Sequence, residues 1–278
     1  MIIDFHTHCY PDKIAAKAVA SLCATGGITA FTDGTLDSLR KRETEAGVSA
    51  FVVNNIATDA RRQSNVNAFA KSINGDGVIS FGSVYPFSDD YEDELKRLRE
   101  SGIAGIKLHP YFQDFEVDDP RLAGFYAALA DLSFIVLFHA GCDISFADRD
   151  RAAPRRFKRA LKMLRGADVV LAHWGGSMLT DDVIDVLCGE NVYFDTSFGC
   201  GNISPEKARR IAELHGADRL LFGSDCPWHL PSDEIGLVRS LGLGTKALNL
   251  ILHENAESLL KRHSVALPPG STPDFVKV

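Results

Sequence analysis

The chain has 278 residues, 45% of them hydrophobic and 24% charged, and a formal net charge of −7. No apolar run approaches the roughly eighteen residues of a membrane-crossing helix, so no membrane partner is expected. The acidic balance also disfavours nucleic acid, whose binding depends on clustered lysine and arginine displacing counterions from phosphates.

Met1 leads directly into an apolar segment, without the basic region and small-residue cleavage site of a secretory signal, and a cytoplasmic location is expected. Cys9, Cys23, Cys142, Cys188, Cys200 and Cys226 are dispersed without CxxC spacing and read as free thiols.

In chain order, an apolar run at Ile2–Phe5 is followed by a helical pattern over Ile14–Leu22. Residues 25–47 then add a glycine-rich turn and a charged helix, Leu36–Glu45, placed to cap one end of the fold. Further strand-length runs lie at Ala50–Asn54, Val78–Val84, Ile103–Leu108, Phe134–Phe138, Val169–Ala172, Val192–Phe194 and Leu220–Phe222. Between them fall helical patterns at Asp90–Arg99, Leu122–Leu132, Phe157–Leu164, Asp181–Leu187 and Ala208–Leu214. The runs are rich in Val, Ile and Phe and nearly continuous, as in parallel strands covered on both faces. Eight such units with right-handed crossovers predict an α/β fold, a distorted (β/α)8 TIM barrel, with a doubly wound open sheet as the alternative. Residues 264–278 carry three prolines and read as an extended tail, and residues 1–278 form a single domain without internal repeats.

The first run continues into His6 and His8, two apart and therefore on one face of an extended strand, with Thr7 and Cys9 turned away. A lone HxH pair is weak evidence. The stronger signal is that His139, His173, His109 and Asp225 each close another apolar run. In a parallel barrel these C-terminal strand ends share one face, where such folds build active sites. Neutral imidazoles with a carboxylate suit zinc, with manganese, iron and cobalt kept open. A bound divalent ion lowers the pKa of water from about 15.7 to about 7, and Asp225 is placed to take that proton and deliver it to a leaving group.

The runs "DFHTH", "FHAG", "AHWGG", "VYFDTS", "LLFGSDCPW" and "ILHENAESLL" together resemble the amidohydrolase superfamily over nearly the whole chain. The likeness is to amidohydrolase family 2, the aminocarboxymuconate-semialdehyde-decarboxylase-like branch. It implies that His6, His8, His139 and Asp225 bind the metal, and that His173 stands beside it for proton transfer or substrate polarisation. Lys107 in "GIKLHP" falls where phosphotriesterase-like relatives carry a carbamylated lysine that bridges two metals, and it shares a strand face with His109. A carbamate there would bring His173 to a second ion. One ion is expected, because the other motifs resemble the branch whose lysine is no bridge.

Asp195 either orients a metal-bound histidine or caps the turn that follows it. His109, before Pro110, is read as a substrate contact or a wall residue, and His173 has second-sphere hydrogen bonding as its bland alternative. Trp174 and Trp228 are read as packing between loops, and Cys9, Cys142 and Cys226 as small loop residues. His215, His229, His253 and His263 receive no role. A metal-dependent hydrolase of a small amide, ester or lactone is expected, with a decarboxylase or hydratase of a small carboxylic acid as the alternative. The second would need an arginine to fork its carboxylate, from Arg61, Arg62, Arg149, Arg151 or Arg155. A non-catalytic barrel is a third reading, as is a nuclease of the TatD kind, which expects a GEIGLD-like run where this chain has "GIKLHP". A homodimer is kept open.

Overall fold

A computed structural model describes residues 1–146 and 150–268, which leaves Arg149 and the tail beyond residue 268 outside the described residues. The strands are β1 (Ile3–Thr7), β2 (Ala50–Asn54), β3 (Val78–Phe81), β4 (Gly105–Leu108), β5 (Ile135–Phe138), β6 (Asp168–Leu171), β7 (Tyr193–Asp195) and β8 (Leu220–Leu221). The helices between and after them are α1 (Asp12–Gly26), α2 (Leu36–Glu45), α3 (Ala60–Ile73), α4 (Tyr91–Glu100), α5 (Ala123–Asp131), α6 (Pro154–Ala160), α7 (Thr180–Val186), α8 (Pro205–His215), α9 (Pro231–Ser240), α10 (Thr245–Asn249) and α11 (Asn255–Arg262).

All ladders are parallel and follow chain order, β1-β2-β3 in one sheet and β4 to β8 in the other. That order belongs to a barrel and not to a doubly wound sheet, whose strand order reverses at a switch point. The ladder is interrupted at two seams. Between β3 and β4, Gly82 N donates to Gly105 O (2.9 Å) and Lys107 N to Gly82 O (2.8 Å). Between β8 and β1, Phe5 N donates to Phe222 O, Asp225 N to His6 O and His8 N to Cys226 O, each at 2.7 Å.

Two apolar layers explain why the strands read as unbroken hydrophobic runs. Phe51, Val53, Ile106, Leu108, Val136 and Phe138 face the helices, while Ile3, Phe5, Val52, Phe81, Leu137 and Val170 fill the barrel interior. Gly105 makes room for this interior. A Cβ there would stand 2.5 Å from the Phe81 ring, which itself meets Phe5 edge-on at 5.8 Å between centroids. The first residues of the expected tail, Val265 and Leu267, pack against the interior cluster.

Helix starts follow local chemistry. Thr35, Asp59 and Ser204 accept backbone N–H groups of Ser38, Arg62 and Lys207, and proline opens α6, α8 and α9. α3, α9 and α10 are additions to the elements expected from sequence. The insertion does not cap the barrel through its helix: α2 buries Leu39 and Glu43 against the outer wall, and only Ile28, before it, reaches the mouth. Asn255 at the start of α11 donates through Nδ2 to Ala217 O and Leu220 O, both at 2.8 Å, and so ties the last helix to β8.

Candidate metal centre and active site

The site begins with an irregularity in β1. Asp4 pairs with Phe51 and Thr7 with Val53, so three steps on β1 oppose two on β2, a bulge. Strict alternation from Ile3 and Phe5, both interior, would send His6 outward. The extra residue turns it inward instead, and Thr7 faces away, donating through Oγ1 to Val52 O (2.8 Å). Gly223 on the neighbouring strand end leaves the space His6 occupies, since a Cβ there would lie 3.0 Å from His6 Cβ.

Hydrogen bonds fix the tautomers of both β1 imidazoles. His6 Nδ1 lies 2.8 Å from Asp195 Oδ2 and His8 Nδ1 lies 2.8 Å from Asn54 O, acceptors that require the ring hydrogen on Nδ1 in each case. The bare Nε2 atoms then face one carboxylate oxygen: Asp225 Oδ1 is 3.2 Å from His8 Nε2 and 3.6 Å from His6 Nε2. Three lone-pair donors converging in a buried space call for a cation, and the donor set fits a divalent metal. Burial opposes the charge on Asp225, and the nearby Lys107 ammonium favours it. Lys107 Nζ is 3.1 Å from His6 Nε2, and burial pulls that buried amine down to about 8 against the charges of Asp195 and Asp225.

His139 and His173 stand in the same pocket, face to face. His139 Nε2 lies 3.2 Å from Cys142 O, a pure acceptor, so its Nδ1 takes a hydrogen from His173 Nε2 at 3.1 Å. His173 Nδ1 in turn meets Ser197 Oγ at 2.9 Å, and the same hydroxyl touches His6 Nδ1 (3.0 Å) and Asp195 Oδ1 (2.5 Å). Burial holds His6, His139 and His173 well below the usual imidazole value, and they are neutral rings. His173 and Asp225 both sit in the left-handed region, with φ of 60° and 71°, where an L-residue costs about 1–3 kcal/mol and is kept by its surroundings.

His109 stacks on His139 (4.3 Å between centroids, planes 19° apart), and its Nε2 lies 3.3 Å from Asp143 Oδ2. A pocket of about 110 Å³ holds all these groups, with His6, His8, Lys107, His173 and Asp225 at its floor. Its mouth is largely apolar, formed by Leu22, Ile28, Ile56, Phe112, Ile144 and Phe198, with the polar Asp143, Ser145 and Ser177 among them. Trp228 lines it as well, whereas Trp174 is buried in the outer core.

None of the arginines considered from sequence lines the pocket among the described residues. Arg61 and Arg62 pair with Asp59 at the surface, Arg151 with Asp114 and Arg155 with Asp182. Cys9 and Cys226 pack in the outer core, and burial pushes the Cys9 thiol up to about 12, far from a metal-binding thiolate. Cys142 lines the pocket. His229, His253 and His263 pair with Glu234, Glu257 and Asp168, and His229 also packs on the pocket residue Phe198. Asp143, Asn54 and Ser197 were not anticipated. Asp143 carried a signal, four residues past His139 on a strand-end loop, but Asn54 acts through its backbone carbonyl, which no residue type announces.

An amidohydrolase family model matches residues 3–262. The 3'-5' ssDNA/RNA exonuclease TatD of Erwinia tasmaniensis is 28% identical over 213 residues, 71% of this chain and 75% of its own. Among solved structures, an uncharacterized TIM-barrel protein from Bordetella bronchiseptica superposes with a TM-score of 0.74 at 21% identity, covering 95% of this chain and 99% of that one. The 5-carboxyvanillate decarboxylase of Sphingomonas paucimobilis does so with a TM-score of 0.71 at 11% identity, covering 94% and 98%. These two likenesses establish a shared barrel fold. Among the described residues, no helix is long and apolar enough to cross a membrane.

Proposed function

The chain belongs to the metal-dependent amidohydrolase family, and from that premise we propose that it hydrolyses a small, weakly polar amide, ester or lactone with the help of one zinc ion. The observation that carries this reading is the convergence of His6 Nε2, His8 Nε2 and Asp225 Oδ1 on one buried point at the floor of a small apolar pocket. A divalent ion held by these three groups supplies Lewis acidity, polarising a carbonyl and making water acidic at neutral pH.

The chain's own residues do the rest. Asp195 Oδ2 and Asn54 O orient the two β1 imidazoles, so that their lone pairs need no reorganisation. Asp225 Oδ2, the carboxylate oxygen not turned to the imidazoles, takes the proton of the attacking water and returns it to the leaving nitrogen or oxygen. The Lys107 ammonium is the hydrogen-bond donor at the floor, placed to hold a developing negative oxygen, while the His173 Nε2 hydrogen is given to His139. His139 enters this reading as a further ligand if its ring turns from Cys142 O; as it stands it buttresses His173.

The size of the pocket supports a small molecule over nucleic acid. About 110 Å³ is close to the ~150 Å³ of an engineered cavity that takes benzene. Among the described residues the mouth offers no basic stripe for a phosphate chain, and the −7 net charge opposes one. A decarboxylase is the second reading, favoured by the likeness to the 5-carboxyvanillate enzyme. The experiment is a zinc-loaded preparation assayed against aryl esters, anilides and lactones, and separately for CO₂ release from hydroxybenzoic acids. Hydrolysis without CO₂ release supports the proposal, and CO₂ release without hydrolysis overturns it.

A further inference from the structure

Among the residues that line the pocket is a carboxylate for which metal chemistry at the floor has no use. Asp143 lies in the loop after β5, its side chain 10% exposed and lining the pocket. Oδ1 accepts the backbone N–H of Ser145 at 2.7 Å, and Oδ2 stands 3.3 Å from His109 Nε2. His109 Nδ1 accepts the N–H of Phe112 (3.4 Å), so its ring hydrogen is on Nε2 and points at Asp143. A neutral imidazole beside a carboxylate leaves one net negative charge. An ionised carboxylate has about four lone-pair sites, and these two partners leave acceptor capacity directed into the pocket.

The surroundings sharpen what that acceptor selects. Asp143 shares the pocket lining with Ile144, Ile28 and Leu22 as well as Ser145 and Ser177, and no arginine lines the pocket among the described residues. Lys107, the ammonium assigned to a substrate oxygen at the metal, stands at the floor beside His6 Nε2. A charge in apolar surroundings interacts more strongly than one in water, with a donor favourably and with an anion unfavourably.

We propose that Asp143 is the specificity-determining residue of this pocket, selecting a one-ring-sized substrate whose mouth-facing end is an amidinium, ammonium, amide N–H or hydroxyl, and rejecting one that ends there in a carboxylate. The proposal rests on reading this pocket as the substrate site. A second cation site at Asp143, His109 and His139, whose donor atoms lie within 4.8 Å of one another, is the competing use. The two imidazoles argue against it. With planes only 19° apart and stacked at 4.3 Å, their in-plane lone pairs run side by side and do not converge on an ion.

The test uses the zinc-loaded full chain and three probes with one ring and different head groups, each a poor zinc ligand: benzamidinium, benzamide and benzenesulfonate. Calorimetric titration should rank them in that order, with benzamidinium at least tenfold tighter than the sulfonate. Asp143→Asn should bring benzamidinium to within threefold of benzamide, and Asp143→Glu, which restores the charge, should recover the preference and guards against a folding defect. Zinc content should be the same in all three proteins. The proposal is overturned by sulfonate binding as tightly as benzamidinium, by no binding of benzamidinium, by an unchanged ranking in Asp143→Asn, or by loss of one zinc equivalent in that variant. Failure of the hydrolytic reading is separate: it would appear as absent ester, amide and lactone turnover while the head-group ranking persists.

Discussion

His8 Nε2 and Asp225 Oδ1 stand 3.2 Å apart with no hydrogen between them, because the His8 ring gives its hydrogen to Asn54 O through Nδ1. Two acceptors held together in a buried site are repulsive until a cation joins them, and this relationship underlies the metal assignment. Asp225→Asn keeps the shape, removes the charge and removes the base. Turnover of whichever ester or amide the panel identifies should fall about a hundredfold or more, with the thermal midpoint of the metal-free protein little changed. Undiminished kcat would take Asp225 out of the mechanism.

Asp195 never reaches the convergence point, yet it fixes which nitrogen of His6 is bare. Asp195→Asn can present its amide nitrogen to His6 and invert that tautomer. Zinc affinity, measured by competition with a chromogenic chelator, should drop about 10–100-fold, the range seen when outer-sphere partners of metal-bound histidines are removed. An unchanged affinity would mean that the His6 orientation is set by packing alone.

Much of this arrangement was legible in the residues. Strand ends carrying His6, His8, His139, His173 and Asp225 fall on one face because a parallel barrel puts all C-terminal ends together, and apolar runs are readable. Other features were not. α3 is hard to read although Val66, Phe69, Ala70 and Ile73 have helical spacing, since its first half, Arg61 to Asn65, is polar throughout. The β1 bulge is a matter of pairing between strands some forty-five residues apart, and no local pattern records it. The distinct placement of His139, facing His173 and Cys142 O and not the trio, depends on rotamers that residue type leaves open.

Acid sensitivity should arise at His215, distant from the metal. Its ring stacks on Phe194 at 3.8 Å, Nε2 donates to Val192 O (3.0 Å), and Nδ1 accepts the N–H of Gly189 (3.2 Å), a set that only the neutral ring satisfies. Burial lowers it to about 4 from the ordinary 6.5. A depressed folded value means that the unfolded chain binds the proton first, so the contribution is intact above about pH 6.5 and is lost as pH falls toward 4. The loss should reach about 3 kcal/mol at the bottom of that window. Urea midpoints compared with His215→Phe, which keeps the stack but cannot titrate, measure it; parallel pH curves for the two proteins would refute it.

Glu43 on α2 is buried, and neither carboxyl oxygen has a hydrogen-bond partner among the described residues. Burial, with the nearby Asp4 charge adding to it, pushes its carboxyl well above the ordinary 4.5. A raised folded value gives stability that is complete below about pH 4.5 and declines as pH rises, because the unfolded chain releases the proton more readily. Glu43→Gln lacks this term and should be more stable than the parent at pH 8, by about 1–3 kcal/mol. Denaturant curves at pH 5 and pH 8 check the sign, and a variant less stable at both would show that Glu43 has a partner it needs.

The most direct test of the central claim is anomalous diffraction at the zinc edge from crystals of the zinc-loaded full chain. A peak is expected within about 2.0–2.2 Å of His6 Nε2, His8 Nε2 and an Asp225 carboxylate oxygen together. A peak bound to other side chains, or these three residues turned toward unconnected surroundings in the loaded protein, would contradict it.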